Sequence, residues 1–207
     1  MRLRVMNAPI PASSYIDPAQ FEIDKQRVFY RTWQCVCHSS EVAEAGAYVT
    51  FRVVDEEVLV VRGADDKLRG FYNVCRHRGH PVVEGRGRRN TLVCGYHGWT
   101  YELDGRFRSA PQASETDLER CQGLRLREVL LEVFAGFVFV NLDRDASPLV
   151  PSVPGVEAEF ATWHPDASRL RFVCETRLEH ECNWRVSVDN YNECYHCPSV
   201  HASSLVK

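Results

Sequence analysis

Two short loops each carry one thiol and one imidazole: Cys75-Arg76-His77-Arg78-Gly79-His80 and Cys94-Gly95-Tyr96-His97-Gly98-Trp99. The pattern is C-x-H, sixteen residues, then C-x-x-H. Two thiolates and two imidazoles on facing loop tips suit either one tetrahedral zinc or a 2Fe-2S cluster with both cysteines on one iron and both histidines on the other. Zinc modules usually keep like ligands together along the chain, whereas here each loop supplies one of each. A cluster needs that mixture, because each loop must reach both irons. Gly79, Gly95 and Gly98 would let backbone N–H groups approach the sulfides. Neutral imidazoles in place of two thiolates raise the potential above that of a Cys-only cluster. His80 falls outside the spacing and reads as structural.

A second group of chemically able residues lies near the end of the chain, in Asp189-Asn190-Tyr191-Asn192-Glu193-Cys194-Tyr195-His196-Cys197-Pro198-Ser199-Val200-His201. Glu193 and His196 are three apart and would share a helix face. His196 and His201 are five apart, so both reach one metal only if the helix breaks, and Pro198 is the expected break. Two histidines and a carboxylate with open positions are the ligand set of non-haem Fe(II) oxygenases. Read alone, the segment is better explained as a capped helix with two solvated histidines. Cys194 and Cys197 read as packing thiols, since no βαβ pattern surrounds them. Cys35-Val36-Cys37-His38 precedes no second ligand pair.

The elements that must hold these loops are mostly strands. Asp17-Pro18 is a helix start, and Phe21, Val28, Phe29 and Trp33 form a helical stripe, so residues 1–40 are expected to be a helical segment. Alternation then predicts strands over 48–54, 58–62, 68–74, 91–93, 99–103 and 106–107, with a hairpin turn at Asp104-Gly105. Residues 124–127 and 129–141 complete an antiparallel β-domain spanning 41–147. The Pro-, Ser- and Gly-rich stretch over 145–155 marks a boundary. Beyond it, residues 169–179 alternate as a strand and residues 183–194 read as a helix with Trp184, Val188, Tyr191 and Tyr195 on one face.

Composition narrows the class. The 207 residues are 44% hydrophobic and 26% charged, enough for a buried core and unlike a disordered or fibrous chain. No run approaches a membrane span, no secretory signal opens the sequence, and either Met1 or Met6 suits as the start. A net charge of −3 gives no general drive toward nucleic acid or anionic membrane. Nine cysteines without a signal peptide point to a reducing cytoplasm, where thiols serve as ligands or packing groups. Seven arginines between positions 76 and 108 face three acids, either a solvated surface or a docking patch for an acidic partner.

C-R-H-R-G-H and C-G-Y-H-G-W resemble the two cluster loops of the Rieske non-haem iron oxygenase α-subunits, and residues 21–141 fit their β-sandwich domain. E-x-x-H-x4-H resembles the mononuclear-iron motif of the same family. The resemblance implies an α+β fold: a Rieske 2Fe-2S domain, then the opening of a helix-grip-like catalytic domain over 148–207. It implies that Cys75, His77, Cys94 and His97 hold the cluster and that His196 and His201 hold Fe(II). Glu193 would be a bridge to the cluster of a neighbouring subunit in a homotrimer. Electrons would come from NAD(P)H through a separate flavin or ferredoxin-type reductase, and O2 would hydroxylate a small substrate.

D-N-Y-x-E-C-Y-H-C looks most like members acting on quaternary ammonium compounds such as choline, glycine betaine, carnitine and stachydrine. The alternatives are an aromatic-ring dioxygenase, a Rieske-type electron carrier and a structural zinc module. The family's third iron ligand, a later carboxylate, has no counterpart before Lys207. This stretch alone is therefore expected to hold its cluster, bind iron poorly and oxidise no substrate.

Overall fold

The computed structural model describes residues 10–111, 113–164, 169–201 and Ser203; the two candidate starts, Met1 and Met6, lie outside these. The described chain divides into two compact units. One is Lys25–Val173, and the other joins the residues up to Asp24 with those from Cys174 onward.

The larger unit opens with a π-helical turn, Lys25–Phe29. Its strands are β1 (Gln34–His38), β2 (Ala47–Val53), β3 (Glu56–Arg62), β4 (Leu68–Tyr72), β5 (Arg86–Arg88), β6 (Leu92–Val93), β7 (Thr100–Tyr101), β8 (Phe107–Ser109), β9 (Glu128–Phe134) and β10 (Phe137–Asn141). All pairings are antiparallel. The large sheet runs β1-β10-β9-β4-β3-β2-β5, and a second sheet runs β6-β7-β8. Three short helices follow the strands or interrupt them: α3 (Glu115–Arg120), α4 (Leu149–Ser152) and α5 (Val156–Trp163).

Strand β3 explains why this arrangement closes. Successive side chains of a strand point to opposite faces. In β3 the residues Val58, Leu59, Val60 and Val61 are all buried, so both faces are covered. Leu59 and Val61 pack with Tyr48, Phe71, Leu92 and Tyr101 on the side of the small sheet. Val58 and Val60 pack with Cys37, Val138 and Val140 from β1 and β10, at the far end of the sheet order, so the large sheet curls until its ends share one core.

Several expectations from the sequence are corrected. The helical segment does not run to residue 40, because Gln34–His38 pairs with β10. That strand also settles Cys37: burial, with Glu41 nearby, pushes its thiol up to about 12, which makes it a packing group. Residues 129–141 are not one strand but a hairpin, turned at Ala135 (φ 50°) and Gly136 (φ 85°), with Phe134 opposite Phe137. Left-handed values at both turn residues are what a tight two-residue hairpin requires. Residues 169–179 form no strand. Alternation makes a strand only where a neighbour completes its ladder, and among the described residues none does; Val173 and Leu178 stand 88% and 77% exposed. The stretch over 145–155 carries a short helix, α4.

The smaller unit is helical among its described residues: α1 (Ser13–Ile16), α2 (Pro18–Asp24), α6 (Trp184–Asn192) and α7 (Cys197–Val200). Asp24, 2% exposed, ties α2 to α6. Its carboxylate accepts from Arg185 at 2.5 Å, from Trp184 Nε1 at 3.0 Å and from Gln20 at 2.9 Å. Tyr15 adds a bond to Asp189 at 2.7 Å.

Burial alone pushes the Asp24 carboxyl up, yet the bonds from Gln20, Arg185 and Trp184 outweigh it and hold the group below its usual range. A carboxyl lowered on folding contributes stability that is present above its unfolded value and is lost as pH falls through its folded value. Asp24→Asn is therefore expected to lower unfolding free energy at pH 7 by roughly 3 kcal/mol, by leaving Arg185 without its charge partner. It should also flatten the loss of stability below about pH 4. Urea titrations of both forms at pH 3.5 and pH 7 check both effects.

Candidate functional site

The two ligand loops are the same turn built twice. Cys75 N–H donates to the His80 carbonyl at 2.8 Å and Gly79 N–H to the Cys75 carbonyl at 2.9 Å. Cys94 N–H donates to the Trp99 carbonyl at 2.9 Å and Gly98 N–H to the Cys94 carbonyl at 3.0 Å. Gly79 and Gly98 occupy the same place in each turn, with φ of 77° and 69°, the left-handed region that glycine enters without cost. A side chain at Gly98 would also strike Pro111 Cγ at 2.7 Å.

This shared turn sorts the ligands by type. Cys75 and Cys94 point inward, 3% and 2% exposed, as members of the core cluster that includes Leu92 and Tyr101. His77 and His97 point outward and are exposed, their ring centroids 4.7 Å apart. Burial, followed by a bond from the neighbouring Cys75, pushes the Cys94 thiol up. Burial and then His77 pull His97 down. Thiol thus meets thiol and imidazole meets imidazole, the division a cluster with two cysteines on one iron and two histidines on the other demands. The backbone at Gly79 and Gly95 faces open space, since a Cβ there would meet nothing within 4 Å. The donor set and its surroundings fit a 2Fe-2S group.

Three residues that motif reading passes over hold this geometry. Trp99 stacks on His77 with centroids 4.8 Å apart and planes 3° from parallel, which fixes the imidazole plane. The Tyr101 hydroxyl, fully buried, accepts the Arg76 N–H at 2.9 Å and lies 3.3 Å from Cys75 Sγ. With its lone pair taken by Arg76, its proton is free to donate to the sulfur. Burial, then the Cys75 contact, keeps this phenol well above its usual range, so that proton stays in place. Asn73, 1% exposed, takes the Val82 and Val83 N–H groups on Oδ1 at 3.0 and 3.2 Å and donates Nδ2 to the Val83 carbonyl at 2.7 Å. It staples the first loop to its own return path. His80 bonds the Pro81 carbonyl at 2.8 Å and lies 3.9 Å from Cys94 Sγ.

The second site lies in the smaller unit and differs from expectation. Helix α6, capped by Asn183 Oδ1 on the Arg185 N–H at 3.0 Å, ends at Asn192. Glu193 is extended (φ −106°, ψ 101°), so it does not share a helix face with His196. The break falls at Glu193 rather than at Pro198. Pro198 lies in the first turn of α7, where its missing N–H is tolerated.

His196 and His201 stand at the two ends of that four-residue helix, each as its cap, with ring centroids 5.4 Å apart. A five-residue spacing thereby becomes a close pair. Among the described residues no third His, Cys, Asp or Glu joins them as a metal group, and the exposed Glu193 carboxylate makes no hydrogen bond or ion pair. Cys197 is half-buried, and the Cys194 side chain lies outside what is described.

Residues 32–133 match the Rieske [2Fe-2S] domain, and residues 166–206 match the catalytic domain of the ring hydroxylating alpha subunit. The carnitine monooxygenase oxygenase subunit of Escherichia coli is 41% identical over 196 residues, 93% of this chain and 52% of that protein. The glycine betaine monooxygenase oxygenase subunit of Pseudomonas aeruginosa is 31% identical over 206 residues, 99% of this chain and 47% of that protein. A crystal structure of the quaternary ammonium Rieske monooxygenase CntA with an inhibitor superposes with a TM-score of 0.87 at 36% identity, covering 95% of this chain and 55% of that one. A naphthalene 1,2-dioxygenase variant superposes at 0.81 with 32% identity, covering 91% and 44%. The chain spans about half the length of the curated relatives it matches.

Asn73 supplies a test of the loop geometry. Asn73→Ala strands two buried N–H groups and one carbonyl, at a cost of about 1–3 kcal/mol. We expect a lower urea midpoint and faster loss of iron to a chelator. An unchanged midpoint and release rate would show that the staple is dispensable.

Proposed function

Because the chain belongs to the Rieske non-haem iron oxygenase α-subunit family, we propose that it is the cluster-bearing half and the start of the iron-bearing half of an oxygenase acting on a quaternary ammonium compound. The observation that best supports this is the pairing of two sites in one chain: thiols sorted inward and imidazoles outward on twin loops, and His196 beside His201 across α7. Residues 41–147 would serve the first site and 148–207 the second. The 41% identity to a carnitine monooxygenase subunit favours this substrate class over aromatic rings.

In this reading the buried Cys75 and Cys94 and the exposed His77 and His97 would hold the 2Fe-2S group. When bound, the 2Fe-2S group supplies one-electron storage and Fe(II) supplies the means to use O2. Trp99 keeps the His77 ring in plane. Tyr101, its oxygen taken by the Arg76 N–H, would donate to Cys75 Sγ and so stabilise negative charge on that sulfur. His196 and His201 provide two of the iron ligands. Glu193, unpaired and exposed after the helix break, is the bridging acid toward the cluster of a neighbouring subunit in a homotrimer.

A reductase brings the electrons from NAD(P)H. The net reaction inserts one oxygen atom into a C–H bond beside the quaternary nitrogen, and the other leaves as water with two electrons and two protons. The resulting hemiaminal breaks its C–N bond, releasing a tertiary amine, a carbonyl compound and a proton.

The test uses the full-length oxygenase with its reductase, NADH and O2. Carnitine or glycine betaine should give amine and carbonyl in a 1:1 ratio with O2 consumed, while naphthalene gives no diol. Glu193→Gln should retain iron yet slow turnover by roughly 100-fold or more, whereas His196→Ala should lose the mononuclear iron itself. Normal turnover by Glu193→Gln would remove the bridging role, and diol formation would move the substrate class to aromatic rings.

A further inference from the structure

Beside the first loop lies an open groove of about 930 Å3 whose wall includes Cys75 itself. Its charge is one-sided. Arg76, Arg125, Arg127 and Arg144 face Glu56 and Glu128, and Arg125 is already paired with Glu128 at 3.5 Å. Among the described residues the guanidinium groups of Arg76, Arg127 and Arg144 have no ion pair, whereas Arg86, Arg88, Arg106 and Arg108 each have one. Of the arginine run over 76–108, Arg86, Arg88, Arg106 and Arg108 are neutralised locally by Glu41, Glu44, Asp104 and Glu102, and of the rest Arg76 lines this groove beside Arg127 and Arg144. Between the arginines, Tyr72, Val74 and Leu142 offer an apolar floor. An apolar centre ringed by charge is how a transient protein interface is built. The groove over His77 and His97 differs, because Asp117 and Arg120 there balance one another.

We propose that the Arg76, Arg127 and Arg144 groove docks an acidic electron-donor protein and that electrons enter through Cys75, on the face opposite in character to the imidazoles. The inference rests on the cluster assignment made above and adds the place and the charge of its partner. One electron passes per encounter: the donor is oxidised by one and the cluster reduced by one. Three unpaired charges steer the encounter, and apolar contact holds it long enough for transfer.

The test is stopped-flow reduction of the cluster-loaded protein by a pre-reduced, acidic plant-type 2Fe-2S ferredoxin, whose potential lies below that of a His-ligated cluster. The wild-type rate should fall steeply as salt rises from about 20 to about 500 mM. Reversing Arg127→Glu and Arg144→Glu together should slow reduction roughly tenfold or more at low salt and flatten the salt dependence. Arg89→Glu, the same kind of charge change outside the groove, should stay within about twofold. Dithionite should reduce all forms equally and give the same spectrum.

Wild-type rates and salt slope in the double variant would overturn the docking site. So would a change in its sedimentation coefficient, which would make the groove an interface between copies of this chain. Failure of dithionite to produce a reduced-cluster spectrum in the wild type would instead strike the cluster assignment, and the docking reading with it.

Discussion

Cys75 and Cys94 each donate their N–H across a turn to the residue five places on, and each accepts the N–H of the glycine four places on. Within that turn the cysteine side chain points into the core and the histidine, two or three places later, points out. Everything else in the larger unit serves to place two copies of this turn face to face. Strand β4 delivers the first and the β6–β7 sheet delivers the second, and the two are welded where Tyr101, from β7, reaches the first loop at both Cys75 Sγ and the Arg76 N–H. The cysteine end of the site is therefore buried, while the other end carries the imidazoles to solvent.

That separation follows from how β3 is buried. With both of its faces covered, the unit has two cores, and only one holds the cysteines. The second, built from β1, β10 and the opposite face of β3, does no chemistry but closes the sheet. Cys37 belongs there, and burial pushes its thiol up. Cys75 and Cys94, the candidate ligands, share one core and Cys37 lies in the other, although all three are buried.

The four candidate donors stand out in the sequence because that reading needs residue type and spacing alone. C-x-H and C-x-x-H give the four donors without any knowledge of the fold. Tyr101 and Asn73 were not legible, because each works through a contact that only the turn creates. A tyrosine 26 residues from Cys75 looks like any strand aromatic, and an amide after Tyr72 looks like a strand end. The alternation that found β2, β3 and β4 correctly also drew a strand over 169–179, where no neighbour completes the ladder. Near His196 the sequence misled in a different way. Pro198 is the conspicuous breaker, yet the helix gives way at Glu193, which has neither the ring nor the left-handed backbone that marks a break, and Pro198 instead begins the next turn.

Everything proposed for electron entry and exit assumes that the thiols hold one iron inside and the imidazoles hold the other outside. Pulsed electron-nuclear spectroscopy on the reduced protein, grown with 15N-labelled histidine, reads this directly. Two inequivalent histidine nitrogens strongly coupled to the ferrous iron, with no third, are the predicted result. A single coupled nitrogen, none at all, or a colourless protein holding one zinc per chain would contradict it.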